Sequence, residues 1–195
     1  MTGGRGAGTN RLVVTQPLRT SITLILEHAD AELAEAHWEL YPERVGEQIP
    51  LSLTLLYPWI PAEAVTDGDV DGLRSFLAER RPLAFDLVRL AELRGIVVYA
   101  VPEPDDELRA LMHALWTRYP EYPPYGRPGA DPPPPHATLG RAERERDDAI
   151  TLEQAENRVG HLLPVHCDVR EVTLMEEHAP GRWRIRDRFA LGSRA

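Results

Sequence analysis

Cysteine and long apolar runs are scarce in this sequence. Cys167 is its one cysteine among 195 residues, so a disulfide within the chain is excluded and a reducing compartment is favoured. No apolar run approaches the roughly 20 residues that a membrane-spanning helix needs. The Gly-rich, polar residues 1–11 lack the apolar segment of a signal peptide. We therefore expect a cytoplasmic protein with no membrane partner.

Positive charge is also in the minority. The 22 Lys and Arg residues and the 31 Asp and Glu residues give a formal net charge of −9. A chain of this charge repels long duplex nucleic acid unless a local basic patch overrides the field, so a small phosphate-bearing or otherwise anionic ligand suits it better. No cluster of His, Cys, Asp or Glu has the spacing of metal ligands, and we predict neither a metal nor another cofactor.

The length fits one compact domain or two small lobes, and a hydrophobic content of 43% is enough for a core. We interpret residues 1–15 as a flexible tail and residues 16–195 as a single domain, and we expect a monomer. Periodicity and turn residues predict this order of elements: strand 20–26, helix 31–41, polar loop 43–50, strand 51–57, a helix from Asp69 or Asp71 to 80, a hairpin of 83–92 and 96–101, a helix behind Asp105 or Asp106 to 119, strand 136–141, helix 152–163 capped by Thr151, one long strand 165–177, and strand 182–191.

A run of four prolines, at positions 132–135, ends at a short apolar segment that holds His136 and Thr138. In a strand, residues two positions apart point to the same face, so these two side chains would lie next to each other. An imidazole beside a hydroxyl can move a proton and stabilise an oxyanion. The structural alternative is a histidine at a strand start that bonds to a neighbouring carbonyl group.

The same alternation occurs earlier, where Ser52 and Thr54 share one face of the predicted strand 51–57. Two strands of this kind suggest two related halves that face one cleft. The alternatives are again structural, since threonine is common on half-buried strands and a cleft residue such as Ser52 can be small for reasons of space.

These stretches resemble the 2H phosphoesterase superfamily, in its 2'-5' RNA ligase and cyclic phosphodiesterase branch. That family carries two His-x-Thr/Ser motifs, one per lobe, and the second is intact here as His136-Ala137-Thr138. In the first, Ser52 stands where the family has a histidine, and Thr54 remains. The resemblance covers about residues 20–191. It implies an α+β fold in which two pseudo-symmetric lobes form one two-lobed domain, with antiparallel sheets facing a central groove.

The resemblance also implies an activity on a phosphodiester or cyclic phosphate of a nucleotide or an RNA end. In that chemistry one histidine takes a proton, the other gives one, and the hydroxyls hold the phosphoryl oxygens. Because Ser52 cannot relay protons, we expect impaired or altered acid/base chemistry. The expected catalytic residues are His136, Thr138, Thr54 and Ser52. The alternatives are a repurposed small-molecule biosynthetic enzyme that uses His136 and a non-catalytic binder of a phosphate-bearing ligand, so enzymatic activity is an open question at this point.

Other side chains have a functional and a structural interpretation. His28, just after the first strand, is the best substitute for the missing histidine, whereas the histidines inside predicted helices are interpreted as surface or packing residues. Cys167 is interpreted as a small core residue. The rings of Tyr57, Tyr122 and Tyr125 can either stack on a flat ligand or pack their loop against the sheet. Tyr57 and Tyr125 are the substrate-binding candidates.

A basic stripe is predicted on the last strand, where four arginines alternate with apolar residues. They can bind phosphates, or they can pair with glutamates of the preceding strand. The arginines are Arg182, Arg184, Arg186 and Arg188, with Trp183, Ile185 and Phe189 on the other face, and the glutamates are Glu171, Glu176 and Glu177.

Overall fold

The computed structural model of the protein describes residues 16–26, 31–129 and 131–192. The expected tail over residues 1–15 and the candidate His28 lie outside these ranges. The helices and strands are β1 (Thr20–Ile25), α1 (Ala31–Leu40), α2 (Pro42–Glu47), β2 (Ser52–Leu56), α3 (Asp67–Ala78), β3 (Leu83–Leu93), β4 (Val97–Glu103), α4 (Asp106–Arg118), β5 (Ala137–Arg141), α5 (Leu152–Val159), β6 (Val165–Val169), β7 (Glu171–Ala179) and β8 (Arg182–Ala190). None of the helices within these ranges combines the length and the apolar character that crossing a bilayer requires.

The eight strands form one antiparallel sheet in the order β6-β3-β4-β5-β2-β1-β7-β8. They fall into two groups of four, which meet where Leu53 of β2 pairs with Ala137 of β5. The predicted α+β fold with antiparallel strands from two related halves is confirmed, and the two sheets are halves of one continuous sheet.

The hydrophobic core explains which face of the central strands is open. Leu53, Ala137 and Leu139 are fully buried, in one apolar cluster with Leu111 and Leu115 of α4. Burying a leucine side chain contributes about 1.5–3 kcal/mol, so this face of β2 and β5 is firmly fixed against the core. Ser52, Thr54 and Thr138, at alternate positions of the two strands, are only half-buried and face the other way.

Helices α3 and α5 begin at capping boxes. Thr151 caps α5 as predicted, and its hydroxyl accepts the backbone N–H of Gln154 while the Gln154 side chain accepts the backbone N–H of Thr151. The prediction that α3 starts at Asp69 or Asp71 is wrong, because Thr66 is the N-cap and the helix starts at Asp67. Asp69 belongs to the first turn, where its carboxylate accepts the Thr66 backbone N–H at 2.9 Å.

The prediction of one continuous strand over residues 165–177 is wrong. The segment consists of β6 and β7, separated at Arg170, and the two belong to different halves of the sheet. β6 pairs with β3 at one edge, whereas β7 pairs with β1 and β8 in the other half. Both segments have the composition of strands, so nothing local marks the crossing from one half to the other.

Two further boundaries differ from the prediction. The expected polar loop 43–50 contains the short helix α2, and Pro42 starts that helix at its first turn, where a missing N–H is tolerated. The expected helix 152–163 ends at Val159 and continues as the 3₁₀ turn Gly160–Leu162. α2 is relevant to function because it contributes one wall of the cavity described next.

Candidate active site

Four polar side chains of the two central strands line one cavity. Since Leu53 is paired with Ala137 in an antiparallel ladder, the residues on either side of that pair face each other as Ser52 with Thr138 and Thr54 with His136. All four line a cavity of about 470 Å³, a volume suited to a small molecule. The structure therefore brings together every residue that the two predicted motifs contribute.

His136 is fixed in one tautomer by its neighbours. Nδ1 lies 2.8 Å from the carbonyl oxygen of Pro134, and Nε2 lies 3.4 Å from the hydroxyl of Tyr125. A carbonyl oxygen only accepts, so Nδ1 carries the hydrogen and Nε2 presents its lone pair towards the cleft. The carbonyl contact that sequence analysis offers as the structural alternative is present, and it orients the imidazole as a proton acceptor.

Burial keeps this imidazole neutral. His136 is 8% exposed, and desolvation lowers its pKa below the ordinary value of 6.5, while the hydrogen bond to Pro134 opposes that change. A histidine with a lowered pKa is unprotonated at neutral pH. His136 can therefore accept a proton from a water molecule or from a ligand hydroxyl.

The hydroxyl groups of the site differ in their partners. Within the described residues, the Ser52 and Thr138 hydroxyls make no hydrogen bond to another protein group, although both side chains are half-buried. Thr23, on the neighbouring strand β1, is already committed, since its hydroxyl donates to the Leu53 carbonyl at 2.9 Å. Ser52 and Thr138 are thus free to donate to a ligand oxygen.

Tyr125 covers His136 from the proline-rich segment. Its ring stacks on the imidazole with centroids 6.3 Å apart, and it meets Tyr57 edge-on at 6.2 Å. The backbone of Tyr125 has a φ of 55°, in the left-handed region, and its N–H donates to the Tyr57 carbonyl. Tyr57 and Tyr125 line the cavity, whereas Tyr122 packs against the core and does not.

The Tyr125 hydroxyl is kept protonated. The ring is 37% exposed at the mouth of the cleft, but its hydroxyl points inwards to His136. Desolvation of that group raises the pKa of Tyr125 to about 12, and a hydrogen bond with Thr54 opposes the rise. At neutral pH the group is a phenol that can donate a hydrogen bond to Nε2 of His136.

The cavity is locally positive on an acidic protein. Five arginines and three carboxylates line it, against a formal charge of −9 for the whole chain. This local excess of positive charge favours an anionic ligand in the cleft over one elsewhere on the surface. The arginines are Arg19, Arg44, Arg94, Arg127 and Arg141, and the carboxylates are Glu47, Asp131 and Glu143.

Arg19 joins the site from the segment before β1, a role that the sequence does not predict. It forms a two-point ion pair with Glu177, 158 positions away, through Nε at 2.9 Å and Nη2 at 2.8 Å. Its Nη1 donates to the Tyr57 hydroxyl at 2.7 Å. No local pattern marks a single arginine before a strand, so only the folded chain reveals this contact.

The other described histidines lie away from the cavity lining. His37 is buried with Nε2 3.4 Å from the Ile49 carbonyl, and desolvation lowers its pKa to about 4. His113, His161 and His178 are exposed, and His166 is exposed and pairs with Asp86 at 2.7 Å. None of these histidines takes the place of the family's first-motif histidine, which is Ser52 in this chain. His28 lies outside the described residues.

Thiol and metal chemistry have no visible basis in the described residues. Cys167 is buried, as expected for a core residue, and burial raises its pKa to about 12, so its thiol is unreactive at neutral pH. Within the described ranges, no group of three or more His, Cys, Asp or Glu side chains is placed to hold a metal ion.

The predicted basic stripe on β8 is only partly present. A bulge at Arg186 interrupts the alternation, because Ile185 pairs with Met175 and Asp187 pairs with Leu174. Ile185 keeps the face of Trp183, although it is 40% exposed, whereas Phe189 beyond the bulge lies on the opposite face. Three of the four arginines pair with glutamates, as one of the two interpretations expected: Glu176 pairs with Arg184 and Arg186, and Glu171 pairs with Arg188. Arg182 instead donates to the Gly46 carbonyl, and Glu177 pairs with Arg19.

A sequence model of the 2'-5' RNA ligase superfamily matches residues 26–181 of the chain. The chain belongs to this superfamily. The match includes both motif strands and most of the sheet, so the resemblance to the 2H phosphoesterases is confirmed. A search of curated proteins found no match.

Solved structures of superfamily members share the fold. LigT from E. coli, crystallised with NADP+, is 23% identical, with a TM-score of 0.54 over 91% of this chain and 99% of LigT. LigT crystallised with 3'-AMP is 25% identical, with a TM-score of 0.51 over 90% of this chain and 99% of LigT. TT0787 of Thermus thermophilus is 23% identical, with a TM-score of 0.54 over 91% of this chain and 100% of TT0787. The chain therefore spans the whole length of these relatives.

Proposed function

We propose that the protein acts on a phosphodiester or cyclic phosphate of a nucleotide or an RNA end, with His136 as its single proton carrier. The pairing of Leu53 with Ala137 supports this most directly, because it sets Ser52 and Thr54 against the intact motif in one cavity. The relative LigT was crystallised with 3'-AMP and NADP+, which are phosphate-bearing ligands. We expect the protein to act in the cytoplasm as a monomer.

The site supports one half of the two-histidine chemistry. Nε2 of His136 takes a proton from water or a ribose hydroxyl, and the oxygen that loses it attacks phosphorus. The hydroxyls of Ser52, Thr54 and Thr138 donate to the phosphoryl oxygens as negative charge develops. The leaving oxygen receives its proton from water, because the hydroxyl of Ser52 has no pKa near neutrality. A positioned acid is worth about 10²–10⁴-fold, so turnover is expected to be slower by that factor than with two histidines.

Ser52 also favours a second candidate function, the binding of the same ligand without turnover. Its hydroxyl can hold an oxygen in the place where the superfamily's first histidine would act on a proton. Such a protein would keep the cavity, its positive lining and the hydroxyl donors, and it would bind a nucleotide without forming product.

Hydrolysis of 2',3'-cyclic AMP, followed by chromatography, separates the two functions. We compare the unmodified protein with His136→Ala and with the matched control His113→Ala, which removes an exposed histidine on α4 outside the cavity. For an enzyme, product formation disappears in His136→Ala and persists in His113→Ala. Binding without any product, weakened in His136→Ala, indicates the binder. If the unmodified protein binds none of 2',3'-cyclic AMP, 3'-AMP and phosphate, both candidate functions are contradicted.

A further inference from the structure

A buried carboxylate holds Arg19 at the edge of the cavity. Glu177 on β7 is 4% exposed, and its oxygens accept from Nε, Nη2 and the backbone N–H of Arg19, as well as from the backbone N–H of Gly181. The Arg19 guanidinium lowers the pKa of Glu177 to about 2, so the carboxylate stays charged at neutral pH. A buried charge with this many partners fixes the guanidinium in one place.

The fixed guanidinium in turn determines the direction of the Tyr57 hydroxyl. Arg19 has donors and no acceptor, so the phenol oxygen accepts from its Nη1 at 2.7 Å. The hydroxyl proton of Tyr57 must therefore point elsewhere, and no acceptor for it is found among the described residues. Tyr57 and Arg19 both line the cavity, so an oxygen of a ligand bound there can accept this proton.

Aromatic rings and the Arg19 guanidinium surround the ring of Tyr57, so its hydroxyl is the part that can contact a ligand. Its ring meets Tyr125 at 62° and Trp183 at 53°, with centroids 6.2 Å away in both cases. The Arg19 guanidinium carbon lies 5.9 Å from the Tyr57 ring centre and 5.5 Å from that of Trp183. The ring is thus held on several sides, and a donor–acceptor chain from Glu177 through Arg19 ends at its hydroxyl.

We propose that the Tyr57 hydroxyl is a binding group for an anionic phosphoryl oxygen of the ligand, and that Arg19 and Glu177 are positioning residues that aim it. A donor that itself accepts from a guanidinium is polarised, which strengthens the hydrogen bond it gives. The inference rests on the proposed function, and it assigns to Tyr57 a contact through its oxygen instead of a stacking contact. The ligand class is a phosphate monoester or diester.

The test uses 3'-AMP and inorganic phosphate as ligands, with the dissociation constant measured by titration calorimetry. Tyr57→Phe removes one oxygen and keeps the ring, so its midpoint of thermal unfolding should stay near that of the unmodified protein. Its dissociation constants for both ligands should rise about tenfold or more, the usual effect of losing a hydrogen bond to a charged group. Tyr122→Phe is the matched control, because that tyrosine packs against the core outside the cavity, and it should bind normally.

Glu177→Gln tests the positioning residues. It should weaken binding in the same direction, and the double variant with Tyr57→Phe should bind no more weakly than Tyr57→Phe alone, because Glu177 acts through that hydroxyl. If Glu177 has only a structural role, the effects of the two substitutions on the free energy of binding add. Should Glu177→Gln fail to fold, Arg19→Lys takes its place, since lysine keeps the charge and loses the two-point pairing.

The outcomes distinguish this inference from the function on which it rests. Normal affinity of Tyr57→Phe for both ligands overturns the inference and leaves the proposed function in place. Additive effects in the double variant overturn the roles of Arg19 and Glu177. If the unmodified protein binds neither ligand, the proposed function fails, and the inference fails with it.

Discussion

The hydroxyl of Tyr125 lies 3.4 Å from Nε2 of His136, and the two rings are stacked with 28° between their planes. The tyrosine reaches the histidine from the 3₁₀ turn Pro124–Gly126, which is anchored through the carbonyl of Tyr57, the residue that follows β2. It covers one side of the imidazole, whose burial lowers the pKa of His136. The proline-rich segment is therefore part of the site.

Replacing Tyr125 with alanine should raise the pKa of His136 towards its ordinary value of 6.5. The substitution opens the imidazole to water, and desolvation is the main cause of the lowered pKa. The measurement is an NMR titration of the His136 ring signals, assigned with the His136→Ala variant. The ring signals of His113, which is exposed and lies outside the cavity, provide the internal reference. An unchanged His136 titration would show that the tyrosine contributes nothing to its burial.

The proposed reaction should tolerate mildly acidic conditions. Its active form carries a neutral His136, and a lowered pKa keeps the imidazole neutral below the pH at which a free histidine takes up a proton. The rate should stay constant as the pH falls from 7 through 6.5 and decline only at lower pH. In Tyr125→Ala the decline should begin at higher pH. An acidic limb centred at or above pH 6.5 in the unmodified protein would contradict the neutral base.

Restoring a histidine at position 52 should raise turnover of 2',3'-cyclic AMP. The side chain lies opposite Thr138 in the cavity, where it can protonate the leaving oxygen while His136 acts on the other side. The expected gain is about 10²–10⁴-fold in kcat, with Ser52→Gln as a control of comparable size that cannot relay a proton. A gain that the glutamine variant reproduces, or no gain, would contradict the assignment of Ser52 as the missing acid/base group.

Gly140→Ala should destabilise the protein by about 1–3 kcal/mol. A Cβ at Gly140 would come within 2.9 Å of the Leu40 carbonyl oxygen and would collide with the Ile150 side chain. β5 passes so close to the end of α1 that only glycine fits. The control is Gly46→Ala on α2, where a Cβ meets nothing within 4 Å. Denaturant unfolding should show a loss for the first variant and no loss for the second, and equal stabilities would contradict the close approach.

Ion pairing of Glu177 should make the protein sensitive to acid. The pKa of this carboxyl falls from 4.5 to about 2 on folding, so its contribution to stability is present above pH 4.5 and disappears as the pH falls towards 2. The contribution is at most about 3 kcal/mol. Urea unfolding at pH 7, 5 and 3 should show that the unmodified protein loses more stability than Glu177→Gln over this range. Parallel curves for the two proteins would contradict a strongly lowered pKa.

The sequence alone determined the fold class and one half of the site. Alternating residues in short strands and capped helices are local patterns, and they predict the order of elements, the helix behind Thr151 and the face shared by His136 and Thr138. The same alternation placed Ser52 and Thr54 on one face of an earlier strand, and the family resemblance added the α+β fold and the expected role of these residues. These features depend on residues a few positions apart, where backbone geometry and side-chain periodicity constrain the outcome.

Only the tertiary structure decided the contacts between distant residues. Two contacts join segments far apart in the chain: the pairing of Leu53 with Ala137 and the ion pair of Arg19 with Glu177. The division of residues 165–177 between the two halves of the sheet likewise depends on distant strands. Such contacts depend on how the whole core packs, and the segments involved carry no local signal of their partners. The sequence therefore shows which side chains can bind a phosphate, and the pairing of strands in the folded sheet determines which of them face one another.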